Sequence, residues 1–64
     1  MDNRLNEILK LLALQKEALT DLALELATPT PLRNGVSAGI NAQKAIIFRA
    51  KIEEQVRKFA EQQA

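Results

Sequence analysis

The chain has 64 residues, no cysteine, no histidine and a formal net charge of +1. This length allows one domain, residues 1–64, whose core is marginal when the chain folds alone, and the usual supports are a disulfide, a metal or oligomerisation. The missing residue types exclude disulfides, thiolate zinc sites and imidazole-based catalysis, so self-association is the expected support. No secretory signal pattern or run of about 20 apolar residues occurs, so we expect a cytoplasmic protein without a membrane span.

The first predicted element is a long helix over about residues 3–27. Leucines recur every seven residues in it, which predicts a seam of coiled-coil type. The seam consists of Leu5, Leu12, Leu19 and Leu26, with Ile8, Gln15 and Leu22 at the intermediate positions. Gln15 either sets the register of this seam or is a tolerated, half-exposed glutamine. Four more leucines lie off the seam, so we expect the helix to contact more than one neighbour: Leu9, Leu11, Leu14 and Leu24.

A turn rich in proline and glycine, residues 28–35, follows this helix. Pro29 and Pro31 lack an N–H group and force the preceding residues out of the helical conformation, and Asn34-Gly35 is a common turn pair. A second helix is predicted over about residues 36–62. Its last turns carry opposite charges four residues apart, typical of a solvated face: Arg49, Glu53, Glu54, Arg57, Lys58 and Glu61. The predicted fold is all-α, a two-helix hairpin that assembles into a symmetric helical homo-oligomer.

The distribution of side chains disfavours an enzyme. Nucleophilic catalysis needs a base beside the nucleophile, and Ser37 has neither a histidine nor an acidic residue near it in the sequence. A metal site with oxygen ligands needs clustered carboxylates, and the acidic residues here are spread along helix faces among lysines and arginines. We therefore predict a non-enzymatic protein with no metal and no cofactor.

The turn lies in a span of 27 residues, 26–52, that contains no Asp or Glu. It also includes the start of the second helix, where unpaired N–H groups and the helix dipole favour an anion. The span predicts a site for a phosphorylated small molecule, with these candidate ligand-binding residues: Thr28, Thr30, Arg33, Asn34, Ser37, Asn41 and Lys44. The alternative is an ordinary structural turn in which Arg33 caps the carboxyl end of the first helix.

Duplex nucleic acid fits this chain poorly. A helix-turn-helix motif has a turn of about 3–4 residues, shorter than the one predicted here, and single-strand binders stack bases on aromatic side chains. Only two aromatic residues occur, Phe48 and Phe59, and both are at predicted core positions. A compact phosphate ligand needs only two or three cations, and a symmetric oligomer can supply some of them from neighbouring copies.

The layout resembles the small phage proteins that sequester the cyclic nucleotide signals of bacterial anti-phage defence, the anti-CBASS sponges. "NEILKLLALQKEALTDLALELATPTP" is similar to their acidic first long helix and its turn, and "GVSAGINAQKAIIFRAKI" to their second helix. The resemblance covers about residues 6–52 and implies a hexamer that binds cyclic dinucleotides or trinucleotides in the host cytoplasm without cleaving them. It implies ligand contacts from Thr28, Thr30, Arg33, Asn34, Asn41 and Lys44. The chain departs from that family in lacking a short N-terminal helix with a base-stacking aromatic.

Two functions from different classes follow. The first is sequestration of a phosphorylated small molecule, a cyclic nucleotide above all, by a homo-oligomer. The second is a structural or adaptor module, or an inhibitor of another protein, that acts through its leucine-rich face, with Leu11, Leu14 or Leu24 as contacts. A ligand binder should lose its ligand when Arg33 is replaced by glutamate, whereas an adaptor should tolerate that change.

Overall fold

A computed structural model describes residues 3–63 of the chain. Helix α1 spans Asn3–Ala27, a short 3₁₀ turn spans Thr30–Leu32, and helix α2 spans Gly35–Gln63. The two helices lie antiparallel along each other in a hairpin that measures 52 × 16 × 12 Å. The predicted all-helical hairpin is confirmed, and its assembly into an oligomer stays a prediction. The helices begin and end within about one residue of the predicted positions.

One stripe of α1, which we call the inner seam, packs against α2. The spacing between successive residues of this stripe alternates between four and three positions: Arg4, Ile8, Leu11, Gln15, Ala18, Leu22 and Glu25. Ile8, Leu11 and Ala18 are buried, and the other members are half-buried. Gln15 donates a hydrogen bond from Nε2 to the carbonyl oxygen of Ala45 on α2, at 3.4 Å. Gln15 is half-buried and adds one polar contact between the two helices of the hairpin.

Ile8, Gln15 and Leu22 of the predicted seam lie in this contact, whereas its heptad leucines lie outside it. A second stripe, the outer seam, also alternates in steps of four and three: Leu5, Leu9, Leu12, Lys16, Leu19, Ala23 and Leu26. Its leucines are 43–57% exposed. Ala18 of α1 and Ala45 of α2 are both buried, and their small side chains let the two backbones approach closely. The hairpin closes on the mixed seam, where these small residues meet, and leaves the leucine-rich seam open.

The hydrophobic core of the described residues is small. It consists of Ile8, Leu11, Ala18 and Ala45, and no side chain is buried beyond 98%. On α2, Phe48, Ile52 and Phe59 are half-buried and line the same interface, as their spacing predicts. A core of this size contributes little to stability on its own.

The last turns of α2 form a solvated surface held by ion pairs. Arg49 pairs with Glu53 at 3.0 Å, Arg57 with Glu61 at 2.9 Å, and Lys58 with Glu54 at 3.1 Å. These are the pairs that the spacing of four residues predicts, and five of the six side chains are more than half exposed, with Lys58 at 40%. Within residues 3–63, neither α1 nor α2 combines the length and apolar character that crossing a membrane requires.

Candidate functional sites: the turn, the groove and the outer seam

The end of α1 is capped by side chains from the turn. A helix leaves its last four carbonyl groups without partners inside the helix. Thr28 donates from its hydroxyl to the carbonyl of Leu24 at 3.0 Å. Arg33 folds back over the helix end and donates from Nη2 to the carbonyl of Leu26 at 2.7 Å and to that of Thr28 at 3.2 Å. A positive charge at the carboxyl end of a helix also interacts favourably with the helix dipole.

The start of α2 is capped by Asn34. Its side-chain oxygen accepts the N–H of Ser37 at 3.0 Å, and its carbonyl accepts the N–H of Ala38 at 3.0 Å. This is the ordinary geometry of a helix N-cap. The N–H of Asn34 donates to a carboxylate oxygen of Glu25, which reaches the turn from the last turn of α1. The carboxylate of Glu25 therefore lies at the start of α2, where the sequence predicts a bound anion.

These contacts decide what the turn residues do in the hairpin. Arg33 has the capping geometry that the sequence offers as the structural alternative, and Asn34 holds the first turn of α2. Thr30 opens the 3₁₀ turn and is exposed. A ligand at the turn would have to compete with hydrogen bonds that already close both helix ends. The assignment of these residues to a ligand site stays a prediction.

A shallow groove between the helices holds the remaining candidates. Its volume is about 140 Å³, and its walls are Leu14, Glu17, Ala18, Asp21, Asn41, Lys44 and Phe48. Asn41 and Lys44 are predicted site residues, and Ser37 precedes Asn41 by one helical turn on the same side of α2. Glu17 and Asp21 share the groove with Lys44. Within residues 3–63, Lys44 makes no ion pair with either of them at 4.0 Å or less.

The predicted site thus divides into two places. Thr28, Thr30, Arg33 and Asn34 belong to the turn, whereas Asn41 and Lys44 belong to the groove. Asn34 and Lys44 are ten residues apart on α2, about 15 Å along the helix.

Sequence reasoning missed the carboxylates of Glu17, Asp21 and Glu25, which α1 brings to both places. The predicted hairpin could have revealed these carboxylates. Antiparallel pairing sets the last two turns of the first helix beside the first turns of the second, so an acid-free stretch of sequence need not be acid-free in space.

The outer seam is the largest feature that the hairpin leaves open. It runs over 22 residues from Leu5 to Leu26, about 31 Å of helix. Lys16 is its only charged member. The neighbouring positions on the solvent side are all exposed and uncharged, and two are alanine: Asn6, Ala13, Thr20 and Ala27. A helix face that meets only water usually carries charges at such positions, so this face is suited to close approach by another helix.

No family model, no curated protein and no solved structure matches this chain. Within residues 3–63, no group of three or more acidic side chains lies together as a metal site would require. The function is therefore argued from the turn, the groove and the outer seam.

Proposed function

We propose that the chain is a non-enzymatic, cytoplasmic oligomerisation module in which the outer seam of one copy packs against a helix of another copy. The observation that carries this proposal is the exposure of the heptad leucines of α1, such as Leu5, Leu12 and Leu19, after the hairpin has closed. An exposed apolar stripe with helical spacing is the form in which one amphipathic helix recognises another.

The energetics of the hairpin support the same function. Removing the remaining exposed half of a leucine from water contributes on the order of 1 kcal/mol. Five half-exposed leucines lie along the outer seam, so their burial offsets much of the association entropy, which is about 4–15 kcal/mol. The contact also stabilises the hairpin, because the four-residue core is too small to provide a large stability alone.

A glutamate substitution in the outer seam tests this function. Leu12→Glu places a charge in the middle of the seam and should return the protein to monomeric mass in light scattering or sedimentation. Leu24→Glu is the matched control, because Leu24 is on the same helix and is 65% exposed but lies off the seam. The Leu24→Glu protein should keep the mass of the unmodified protein. If both variants keep it, the outer seam is not the contact surface.

A second candidate function is capture of a phosphorylated small molecule, with a cyclic nucleotide as the leading ligand. The observation that favours it is the pair of Asn41 and Lys44 in the wall of the groove, where Lys44 has no ion-pair partner within residues 3–63. Ser37 lies one helical turn before Asn41 on α2, outside the groove lining. Glu17 and Asp21 on the opposite wall weaken any phosphate contact inside a single chain. This function therefore requires cations from a neighbouring copy, as in a homo-oligomer such as a hexamer.

Thermal melting with a panel of cyclic dinucleotides and trinucleotides tests the second function. A ligand at about 100 times its dissociation constant adds about 2.7 kcal/mol of stability for each site. Lys44→Glu should abolish the shift. Lys51→Glu, a charge reversal two turns further along α2 at an exposed residue outside the groove lining, should preserve it. No shift with any member of the panel would exclude a cyclic nucleotide as the ligand.

A further inference from the structure

We infer that Asn34-Gly35 is a site of spontaneous deamidation and that the first turn of α2 controls the rate of the reaction. The inference goes beyond the proposed function, because it concerns the turn and needs no partner molecule. It follows from the sequence of this pair, the open space around Gly35 and the two hydrogen bonds that hold Asn34.

The reaction needs only the chain and water. The backbone nitrogen of Gly35 attacks the side-chain amide carbon of Asn34, and the new bond closes a succinimide ring. The amide nitrogen leaves as ammonia and takes up the proton that the Gly35 nitrogen loses. Water then opens the ring at either of its carbonyl carbons. The products are aspartate, which keeps the original main chain, and isoaspartate, whose main chain runs through the former side chain.

The attacking nitrogen of Gly35 is accessible. Glycine has no Cβ beside its N–H group, so it permits a close approach to the backbone. No atom from elsewhere in residues 3–63 lies within 4 Å of the place that a Cβ would occupy, and Asn34 and Gly35 are both exposed. Gly35 is also the first residue of α2, so its N–H has no partner inside the helix. The nitrogen and the water that the reaction needs can therefore both reach the Asn34 amide.

The first turn of α2 restrains Asn34. Its side-chain oxygen accepts the N–H of Ser37 at 3.0 Å, and its main-chain carbonyl accepts the N–H of Ala38 at 3.0 Å. These bonds restrict the side-chain and main-chain torsion angles that must rotate before the amide carbon meets the Gly35 nitrogen. The end of a helix opens locally at a much lower free energy than the whole fold. Deamidation therefore proceeds from the opened first turn, and the closed cap slows it.

The two products have different effects on the start of α2. Aspartate keeps a side-chain oxygen for the N–H of Ser37 and is a good N-cap residue. Isoaspartate converts the main-chain carbonyl that accepts the N–H of Ala38 into part of a free carboxylate, and it lengthens the main chain by a carbon atom. Isoaspartate therefore loses the capping geometry and loosens the connection between the two helices.

Incubation of the intact chain, followed by peptide mapping with mass spectrometry, tests the site. Conversion of the Asn34 amide to a carboxylic acid raises the mass of the peptide that contains it. Asn41, which lies inside α2 and precedes Ala42, is the internal control. Gly35→Ala should abolish the product within the same incubation, because its methyl group hinders the attack. The added Cβ meets no neighbouring atom from elsewhere in residues 3–63, so this variant keeps the hairpin.

Ser37→Pro tests the control by the helix. It removes the N–H that the Asn34 oxygen accepts, at a position in the first turn where proline is tolerated. The rate of deamidation should rise about five-fold, which corresponds to the loss of an N-cap of about 1 kcal/mol. Ser37→Ala is the matched control, because it keeps that N–H and should keep the original rate. Unfolding of the unmodified protein in urea should raise its rate further, a comparison that does not depend on whether Ser37→Pro folds.

The outcomes separate the site from its control. Product at Asn34 and not at Asn41, formed faster in Ser37→Pro and fastest in urea, supports the inference. No product at Asn34 even in urea overturns the site. Equal rates in the folded protein and in urea overturn the control by α2. Equal amounts of product at Asn34 and Asn41 overturn the role of Gly35.

Discussion

Helix α1 carries two stripes with the same heptad spacing and opposite surroundings. The inner seam is covered by α2 and contains a glutamine, an alanine and two charged residues. The outer seam contains leucine at every seventh position and a single charge, yet its leucines are 43–57% exposed. The more apolar of the two stripes is thus the one that the hairpin leaves open. The difference teaches that intramolecular packing alone does not account for the sequence of α1.

The first prediction compares two neighbouring leucines, one in each seam. Leu11 is 6% exposed in the inner seam, and Leu12 is 43% exposed in the outer seam. Truncation of a buried leucine to alanine costs about 2–5 kcal/mol. We expect Leu11→Ala to lower the free energy of unfolding by at least the lower end of that range at every protein concentration. Leu12→Ala should lower it only where the protein is assembled, because alanine is a good helix former at an exposed site.

Chemical denaturation monitored by circular dichroism at several protein concentrations checks this prediction. The midpoint of the unmodified protein should rise with concentration, and that rise should shrink in Leu12→Ala. Equal losses for the two variants, independent of concentration, would mean that the two seams do not differ in role.

The second prediction concerns the turn, which belongs to the hairpin and not to the outer seam. Asn34→Ala removes the side-chain oxygen that accepts the N–H of Ser37. The loss of an N-cap of this kind costs about 1 kcal/mol. Asn34→Asp retains an acceptor at the same position and is the matched control. Thermal melting should show a lower midpoint for Asn34→Ala only, and solution mass should be unchanged in both variants.

The third prediction concerns the anion that the protein itself places at the start of α2. Glu25→Gln removes the negative charge beside the N–H of Asn34 and keeps the size of the side chain. Because an anion at a helix start is worth about 0.3–1 kcal/mol, the variant should be slightly less stable. If the turn binds phosphate, the variant should also bind a cyclic nucleotide more tightly, since a competing carboxylate is gone. Calorimetry that shows weaker binding by Glu25→Gln would remove the turn from consideration as a phosphate site.

The smallest effect is expected at the ion pairs of α2. Arg57→Ala breaks the pair with Glu61, and both side chains are more than 60% exposed. Such a pair on a helix surface contributes about 0.2–0.5 kcal/mol. The melting midpoint should change little, and the change should vanish in high salt. A loss as large as that of Leu11→Ala would show that this surface is a contact surface as well.

Part of this fold can be read from the sequence because local rules determine it. Pro29 and Pro31 stop α1, and charges four residues apart pair as expected along α2. Asn34-Gly35, predicted as a turn pair, instead caps and opens α2. These local rules do not show which of the two seams packs against α2. Residues three and four apart share a helix face, so Ile8 can join either stripe, and only packing against α2 decides.

The candidate site shows the same limit more strongly. Arg33 and Lys44 look unpaired along the chain because the nearest acidic residues in sequence are far away. Folding turns Arg33 onto the carbonyls of α1 and brings Glu17 and Asp21 into the groove of Lys44. Contacts between the two helices determine the charges that surround these side chains. The composition of one stretch of the sequence does not reveal those contacts.

Sedimentation equilibrium of the unmodified protein tests the central claim most directly. The claim is that the leucines of the outer seam are covered by another molecule, so the mass at micromolar concentrations should be at least twice 7.1 kDa. A mass of 7.1 kDa at every concentration, in a sample whose circular dichroism shows a folded helical hairpin, would contradict it.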